Sequence, residues 1–104
     1  LAGTVAFYAS VRTYTEFFAY HGFEKEAIAV QNAFHQGNVQ DAINAVPDSM
    51  VDAVGAAGTK DEVRKKVREY LNMTGNVTVG APMYLIDTEQ IAHYQTTLID
   101  AMAD

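Results

Sequence analysis

The sequence predicts a mainly α-helical chain that contains one short β-strand. Two capping boxes and several glycines mark where helices begin and end. Between these signals, apolar residues recur every three or four positions, which is the spacing of one helical face. The pattern changes to alternation only over residues 76–80, where Val77-Thr78-Val79 predicts the strand. Because a lone strand leaves its backbone groups unpaired, we expect the strands that pair with it to lie elsewhere.

The first predicted helix runs from Val5 to Tyr20, with Thr4 as its N-cap. It carries a broad aromatic face, which must be covered in the folded protein. Gly22 suits the left-handed position just after a helix, and Phe23 is placed to pack back onto the helix in a Schellman motif. The apolar residues of this helix are Phe7, Tyr8, Val11, Tyr14, Phe17 and Phe18.

Three further helices are predicted before residue 58. The second helix runs from Glu24 to Gln36 and is closed by Gly37. Asn38 then caps a short third helix. Pro47 ends the third helix and opens the fourth, because proline suits the first turn of a helix. The apolar residues of these helices are Ala27, Val30, Phe34, Val39, Ala42, Ile43, Val46, Met50, Val51 and Val54.

The second half of the chain begins with the clearest helix signal. Thr59 and Glu62 form a capping box, which predicts a helix over Lys60–Leu71. After the strand, Asp87 and Gln90 form a second capping box that begins the last helix. The stripe of the first of these helices contains Val63, Val67, Tyr70 and Leu71, and that of the last contains Ile91, Tyr94, Leu98 and Met102.

Composition restricts the kind of protein. With 104 residues and 49% hydrophobic content, the chain is long and apolar enough to fold as one domain. Its formal net charge of -6 argues against nucleic acid as a partner, because phosphates require a cationic surface. Without cysteine there is neither a disulfide nor a thiolate zinc site. No apolar run is long enough to span a membrane, and the start lacks the basic region of a signal peptide. We therefore expect a cytoplasmic protein.

Four segments resemble, in this order, the carboxy-terminal part of luciferase-like monooxygenases. Within that family the resemblance is closest to oxidoreductases that use the deazaflavin coenzyme F420. It covers about Val5 to Pro82, and the ordered succession is more specific than any single motif. The segments are Val5–Tyr14 (VAFYASVRTY), His21–Phe23 (HGF), Pro47–Ala53 (PDSMVDA) and Gly58–Val63 (GTKDEV).

The resemblance implies that residues 1–104 are one segment, the C-terminal αβα end of a (β/α)8 TIM barrel. Members of the family form such a barrel and use reduced flavin, such as FMN, or F420 as a hydride carrier. By analogy, residues 1–58 are a helical excursion, 59–82 the helix and last strand of the barrel, and 83–104 a C-terminal helix. Such a barrel needs about 250 residues, so we expect the full-length parent to hold cofactor and substrate and this chain alone to be inactive. The part nearest the parent's site is then Gly80–Pro82, at the carboxyl end of the strand.

No catalytic or metal-binding residue is assigned from the sequence, and the cofactor-binding residues stay unassigned. His21, His35 and His93 are not spaced to place two ligands on one helical face. His21 is better explained as a cation at a helix C-terminus. A set of aromatic residues can line a ligand pocket, although aromatic residues at helical spacing more often form core. This set is Tyr8, Tyr14, Phe17, Phe18 and Phe23.

Charged residues are weaker candidates for a binding or catalytic site. The basic residues on the helix after Thr59 can contact phosphate or nucleic acid, but the interleaved acidic residues favour a solvated face with local ion pairs. The amides that begin this helix can bind phosphate, although the capping box already uses two of them. Asp48 and Asp52 can share a proton as an acid/base pair, or simply favour the dipole of their helix. The basic residues are Lys60, Arg64, Lys65, Lys66 and Arg68.

Two functions of different classes remain. In the first, the chain is the C-terminal part of a luciferase-like oxidoreductase or monooxygenase that depends on F420 or FMN. In the second, it is an independent helical module for protein interaction or oligomerisation, without enzymatic activity. The ordered resemblance and the lone strand favour the first. In both, the aromatic face and the unpaired strand need cover, so we expect self-association into a homodimer or higher oligomer, by strand pairing or helix exchange.

Overall fold

A computed structural model describes residues 1–103, and these residues are mainly α-helical. The chain divides into two compact units, unit 1 over Leu1–Gly55 and unit 2 from Ala56 onward. Unit 1 contains five helices and unit 2 contains two. The helices are α1 (Ala2–Ala9), α2 (Thr15–Tyr20), α3 (Glu24–His35), α4 (Val39–Asn44), α5 (Asp48–Val54), α6 (Lys60–Thr74) and α7 (Thr88–Met102).

The prediction of one continuous helix over Val5–Tyr20 is wrong. α1 ends at Ala9, Val11 adopts an extended conformation, and a 3₁₀ turn over Arg12–Tyr14 leads into α2. The side chain of Gln31, on α3, donates to the carbonyl oxygen of Ala9 at 3.1 Å, where α1 ends. Hydrogen bonding from another helix therefore satisfies a backbone group that a continuous helix would pair internally. Thr4 also differs from its prediction, because α1 begins at Ala2 and the Thr4 side chain lies within the helix.

The predicted ends of α2 and α3 are confirmed. At the end of α2, Phe23 N–H donates to Phe18 O at 2.8 Å and Gly22 N–H donates to Ala19 O at 3.0 Å, which is the hydrogen-bond pattern of a Schellman motif. Gly22 has a φ of 87°, a left-handed conformation that costs glycine little. α3 ends at His35, and Asn38 caps α4 as predicted by accepting from Asp41 N–H at 3.3 Å.

The hydrophobic core of unit 1 is built from all five of its helices. Phe18, Val30 and Met50 are its largest fully buried side chains, and they come from α2, α3 and α5. Small residues bring the helices close together, since an alanine side chain lets two helix backbones approach. The other core residues are Val5, Ala6, Ala9, Ala27, Ala42, Val46 and Val51.

Unit 2 has far fewer buried residues than unit 1. Its two helices nevertheless begin where the sequence predicts. Both capping boxes form, at Thr59 with Glu62 and at Asp87 with Gln90. Gly75 ends α6 in a left-handed conformation with a φ of 75°. Among residues 56–103 only Ala101 is buried, so the apolar stripes of α6 and α7 are only partly covered.

Arg64 joins the two helices of unit 2. Its guanidinium donates to the carbonyl oxygens of Ala101, Asp100 and Ala103, at the C-terminus of α7. The last carbonyls of an α-helix generally lack partners within the helix, and a cation there also favours the helix dipole. The sequence predicts Arg64 as one member of a basic helix face. In the structure its contacts with α7 give it a structural role.

The predicted strand is wrong for this chain. Residues 75–87 form neither helix nor strand, and the described residues 1–103 contain no β-strand. The reason is that Val77-Thr78-Val79 has no extended segment beside it to complete its backbone hydrogen bonds. The mainly helical class is confirmed, whereas the end of a TIM barrel is not observed in the structure.

Candidate functional site

Unit 1 contains an apolar pocket that is large enough to be considered as a ligand site. Its volume is about 290 Å³. The walls come from α1, the 3₁₀ turn, α2 and the end of α5, so four separate stretches of chain converge on it. The break after Ala9 creates this arrangement, because it lets Tyr14 and Phe17 lie opposite α1. The lining residues are Leu1, Thr4, Val5, Tyr8, Tyr14, Phe17, Phe18, Val54 and Gly55.

Aromatic side chains form the exposed part of the wall. Tyr8 and Tyr14 meet edge to face with ring centroids 5.5 Å apart, and Phe17 meets Phe18 in the same way at 5.2 Å. Edge-to-face pairs hold the rings in defined orientations. Phe18 is buried, while Tyr8, Tyr14 and Phe17 are each more than a third exposed. The pocket therefore has a fixed floor and an aromatic rim that solvent reaches.

Thr4 supplies a buried polar atom to this wall. Its Oγ1 is buried and has no hydrogen-bond partner within the described chain. Elsewhere in the helices, Thr74, Thr96 and Thr97 donate to the carbonyl four residues back, at 2.9, 3.0 and 2.8 Å. For Thr4 that position lies before Leu1, and the Leu1 carbonyl accepts the Val5 N–H instead, at 3.1 Å.

Gly55 closes the pocket at the end of α5. A Cβ at Gly55 would lie 2.8 Å from Leu1 Cδ2, closer than such atoms approach. The absence of a side chain at this position therefore lets the Leu1 side chain form part of the pocket wall.

A second, polar groove opens on another part of unit 1, with a volume of about 500 Å³. Gln31 lies in it, but its side chain is already used by Ala9 O and by Thr15 Oγ1, at 3.1 and 2.7 Å. Arg12 and His35 are both exposed, so solvent reaches their side chains. The lining residues are Ser10, Arg12, Gln31, Asn32, Phe34 and His35.

The structure brings four of the five aromatic candidates together in the apolar pocket. Tyr8, Tyr14 and Phe17 line it from its rim, and Phe18 is both lining and core. Phe23 instead packs against the core. The pocket interpretation therefore holds for Tyr8, Tyr14 and Phe17, the core interpretation holds for Phe23, and both hold for Phe18. Sequence reasoning missed Thr4 and Gly55 as lining residues, because only the broken helix brings their stretches of chain together.

Each of the three histidines has its own local setting. His21 follows the end of α2, with its ring 4.8 Å from the Phe17 ring, as expected for a residue at a helix C-terminus. His35 is the last residue of α3, and His93 packs on Tyr94 at 5.7 Å. Across residues 1–103, no group of three histidine or acidic side chains is placed to hold a metal ion.

The start of α6 is occupied by its own capping box. Thr59 N–H donates to Glu62 Oε2 at 2.7 Å, and Glu62 N–H donates to Thr59 Oγ1 at 3.3 Å. The backbone hydrogen bond from Thr59, followed by that from its side chain, lowers the pKa of Glu62 below its ordinary value. An ionised carboxylate at this position repels phosphate, which argues against a phosphate site here. Asp48 and Asp52 are both exposed on α5.

The described residues do not by themselves fit a phosphorylated flavin or deazaflavin. No lysine, arginine or histidine lines the apolar pocket, so its wall offers no cationic side chain to the phosphate of such a cofactor. The wall of the pocket is mainly apolar. Within residues 1–103, no helix combines the length and the apolar character needed to cross a membrane.

Comparison with known proteins gives one positive result. The sequence model of the luciferase-like monooxygenase family matches residues 1–76, which include all of unit 1 and the whole of α6. No significant match was found among curated proteins. No significant match was found among solved structures either.

Proposed function

Because this chain belongs to the luciferase-like monooxygenase family, we propose that it is the C-terminal part of an oxidoreductase that uses F420 or FMN. The single observation that carries this proposal is the family match over residues 1–76. The same match supports a monooxygenase or oxidoreductase family in general. The choice of a deazaflavin or a flavin, and the position within a parent enzyme, are our inferences.

The sparse burial within unit 2 supports a larger parent. Unit 2 buries a single residue among those described, and the apolar stripes of its helices are only partly covered. Apolar area removed from water stabilises a protein by roughly 25 cal/mol per Å², so helices with so little burial gain little stability from each other. Further protein that covers these stripes accounts for both the amphipathic pattern and the exposed residues.

The apolar pocket also supports a role within a parent. A cofactor with phosphate groups requires cationic or amide donors, and the pocket wall has no cationic side chain. In our proposal, other parts of the parent provide those donors and the reacting site. When bound, F420 or reduced flavin supplies the hydride or reacts with oxygen. The residues of this chain contribute an apolar wall that excludes water.

Cofactor titration of the protein from the intact reading frame tests the proposal. Purified protein is titrated with FMN and separately with F420, and binding is followed by the fluorescence of the cofactor. We expect saturable binding of one of them with a dissociation constant in the micromolar range or below, about -8 kcal/mol or better. The 104-residue chain serves as the comparison and should bind much more weakly. A folded intact protein that binds neither cofactor would contradict the proposal.

The second candidate function is a helical interaction module, and one observation favours it. Tyr20 is 87% exposed and Phe17 is 47% exposed on the same short helix, an unusual use of aromatic residues on a surface. We propose self-association of the chain through such residues, without the strand pairing that residues 76–80 were expected to provide. Light scattering across a concentration series tests this, and a mass that stays monomeric at all concentrations would contradict it.

A further inference from the structure

We propose that the polar groove of unit 1 binds a small aromatic carboxylate, whose carboxylate group is held by Arg12 and whose ring lies against Phe34. This inference is independent of the proposed function, because it rests on the groove alone and requires no flavin, deazaflavin or parent enzyme. The groove is the cavity lined by Ser10, Arg12, Gln31, Asn32, Phe34 and His35.

The groove is large enough for a small organic molecule. Its volume is about 500 Å³. Sites for organic ligands typically have volumes on the order of 300–1,000 Å³. One side of the wall comes from the residue after α1 and from the 3₁₀ turn, and the other comes from the C-terminal half of α3. Two stretches of chain that are distant in sequence therefore form one site.

The carbonyl oxygens at the end of α1 already have donors. The last four carbonyls of a helix ordinarily lack partners within it, and they attract donors or cations. In α1 a nearby protein group donates to each of the four. The carbonyls of Ala6, Phe7, Tyr8 and Ala9 accept, in that order, from Ser10 N–H, Ser10 Oγ, Val11 N–H and Gln31 Nε2, at 2.9, 2.6, 3.1 and 3.1 Å. The helix end beside the groove therefore needs no cation from the groove wall.

The groove keeps hydrogen-bond donors for a ligand. Over the part of the chain that the structure describes, the side chains of Arg12, Asn32 and His35 take part in no hydrogen bond or ion pair. A guanidinium has five N–H donors and no acceptor, and the amide of asparagine and the ring of histidine can each donate as well. The ligand that this wall favours is one that accepts hydrogen bonds, which is the property of an oxyanion.

The charge of the wall favours a carboxylate among the oxyanions. No aspartate or glutamate is among the described lining residues, and Arg12 carries the one permanent positive charge there. A carboxylate has a single negative charge, and its two oxygens match the planar guanidinium as a bidentate pair. A phosphate monoester carries a charge of about -1.5 to -2 at pH 7, so one guanidinium neutralises it less completely.

Phe34 provides the apolar part of the site. Its side chain lines the groove and also packs against the core of unit 1, so its ring is held in place. Aromatic rings favour contact with other rings in offset or edge-to-face geometry. Because Arg12 is exposed, water and salt weaken its attraction for the anion. We therefore expect a dissociation constant in the millimolar range.

Titration of the full chain with three probes tests this inference. The probes are benzoate, benzamide and inorganic phosphate. Benzoate and benzamide have the same shape and differ in charge, whereas phosphate is an oxyanion without a ring. Amide chemical shifts are followed at constant pH and ionic strength. We expect benzoate to shift the amides of the lining residues in a saturable way, and the other two probes to bind at least about fivefold more weakly.

Substitutions of one cation at a time identify the group that holds the anion. Arg12→Gln removes the charge, so it should weaken benzoate about fivefold and leave benzamide nearly unchanged. Arg12→Lys keeps the charge but loses the planar pair of donors, and should weaken benzoate about twofold. Lys25→Gln is the matched control, since it makes the same charge change at an exposed position of unit 1 outside the groove wall. It should bind benzoate as the unchanged chain does.

Several results would overturn the inference. Equal weakening by Arg12→Gln and Lys25→Gln would mean that the net charge of the chain, and not a site, controls binding. Benzamide that binds as well as benzoate would exclude an anion site, and phosphate that binds as well would exclude the choice of an aromatic carboxylate. Benzoate shifts that fall outside the groove, or no saturable shift at all, would remove the site.

Discussion

The side-chain amide of Gln31 donates to the carbonyl oxygen of Ala9 at 3.1 Å, which ties the middle of α3 to the end of α1. The same amide nitrogen donates to Thr15 Oγ1 at 2.7 Å, at the start of α2. One partly buried side chain thus holds both ends of the break between α1 and α2. The apolar pocket depends on that break.

Replacement of Gln31 should therefore destabilise unit 1. We expect Gln31→Leu to lower the free energy of unfolding by about 1–3 kcal/mol, because the Ala9 carbonyl loses its donor in a partly buried position. Urea denaturation followed by circular dichroism measures the change. Gln95→Leu is the matched control, since Gln95 is an exposed glutamine inside α7, and should change stability by less than about 0.5 kcal/mol. Equal losses in the two variants would argue against a special role for Gln31.

The core of unit 1 should depend on Phe18. Phe18 is 2% exposed, and we expect Phe18→Ala to cost about 3–5 kcal/mol through lost burial and the cavity it leaves. Thermal and urea melts provide the measurement. Tyr20→Ala, on the same helix but 87% exposed, is the control and should stay within about 0.5 kcal/mol of the unchanged chain. Should Phe18→Ala be wholly unfolded, Phe18→Leu must show a smaller loss in the same direction.

The start of α6 should respond to acid. The folded-state pKa of Glu62 is lowered, mainly by the hydrogen bond from the Thr59 backbone, so its ionised form stabilises the helix. That contribution is present above the ordinary glutamate pKa and is lost as pH falls through the lowered value. Cα chemical shifts of residues 60–65 should therefore move toward random-coil values on acidification.

Glu62→Gln provides the test of this cause. The amide keeps an acceptor but has no charge to titrate, so the acid-dependent shift change at the start of α6 should be reduced. Glu69→Gln, an exposed position on the same helix, should keep the change. An unchanged pH response in Glu62→Gln would show that another group is responsible.

The two units should differ in local stability. α3 contains the buried residues Ala27 and Val30, whereas no residue of α6 is buried. Local opening is easiest where little apolar area is covered, so we expect amide hydrogens of α6 to exchange on the order of a hundredfold faster than those of α3. Hydrogen exchange by NMR on the full chain measures both helices in one sample. Equal protection would mean that α6 is covered as well as α3.

Several features of the fold were predictable because they depend on neighbours in sequence. The capping boxes at Thr59 and Asp87 and the Schellman motif at Gly22 each close over a few residues, and all three form as predicted. The break after Ala9 was not predictable in this way. The aromatic spacing of residues 5–20 is that of one helix, and the group that favours a break, Gln31, is 22 residues farther along the chain.

The candidate site shows the same division. The aromatic residues of the pocket wall could be identified from the sequence, but their pairing with Thr4 and Gly55 could not, because these residues meet only after α1, α2 and α5 pack. The strand at residues 76–80 failed for a related reason. Its alternating pattern is a genuine local preference, and a strand also requires a partner that lies outside its own sequence.

The sequence by itself determined the helical class, most helix ends and the family, because periodicity, caps and motifs are local properties of the chain. Only the tertiary structure decided where the first helix breaks and which aromatic residues are core and which line a pocket. These features depend on hydrogen bonds and packing between residues distant in sequence, and local preference carries no information about such contacts.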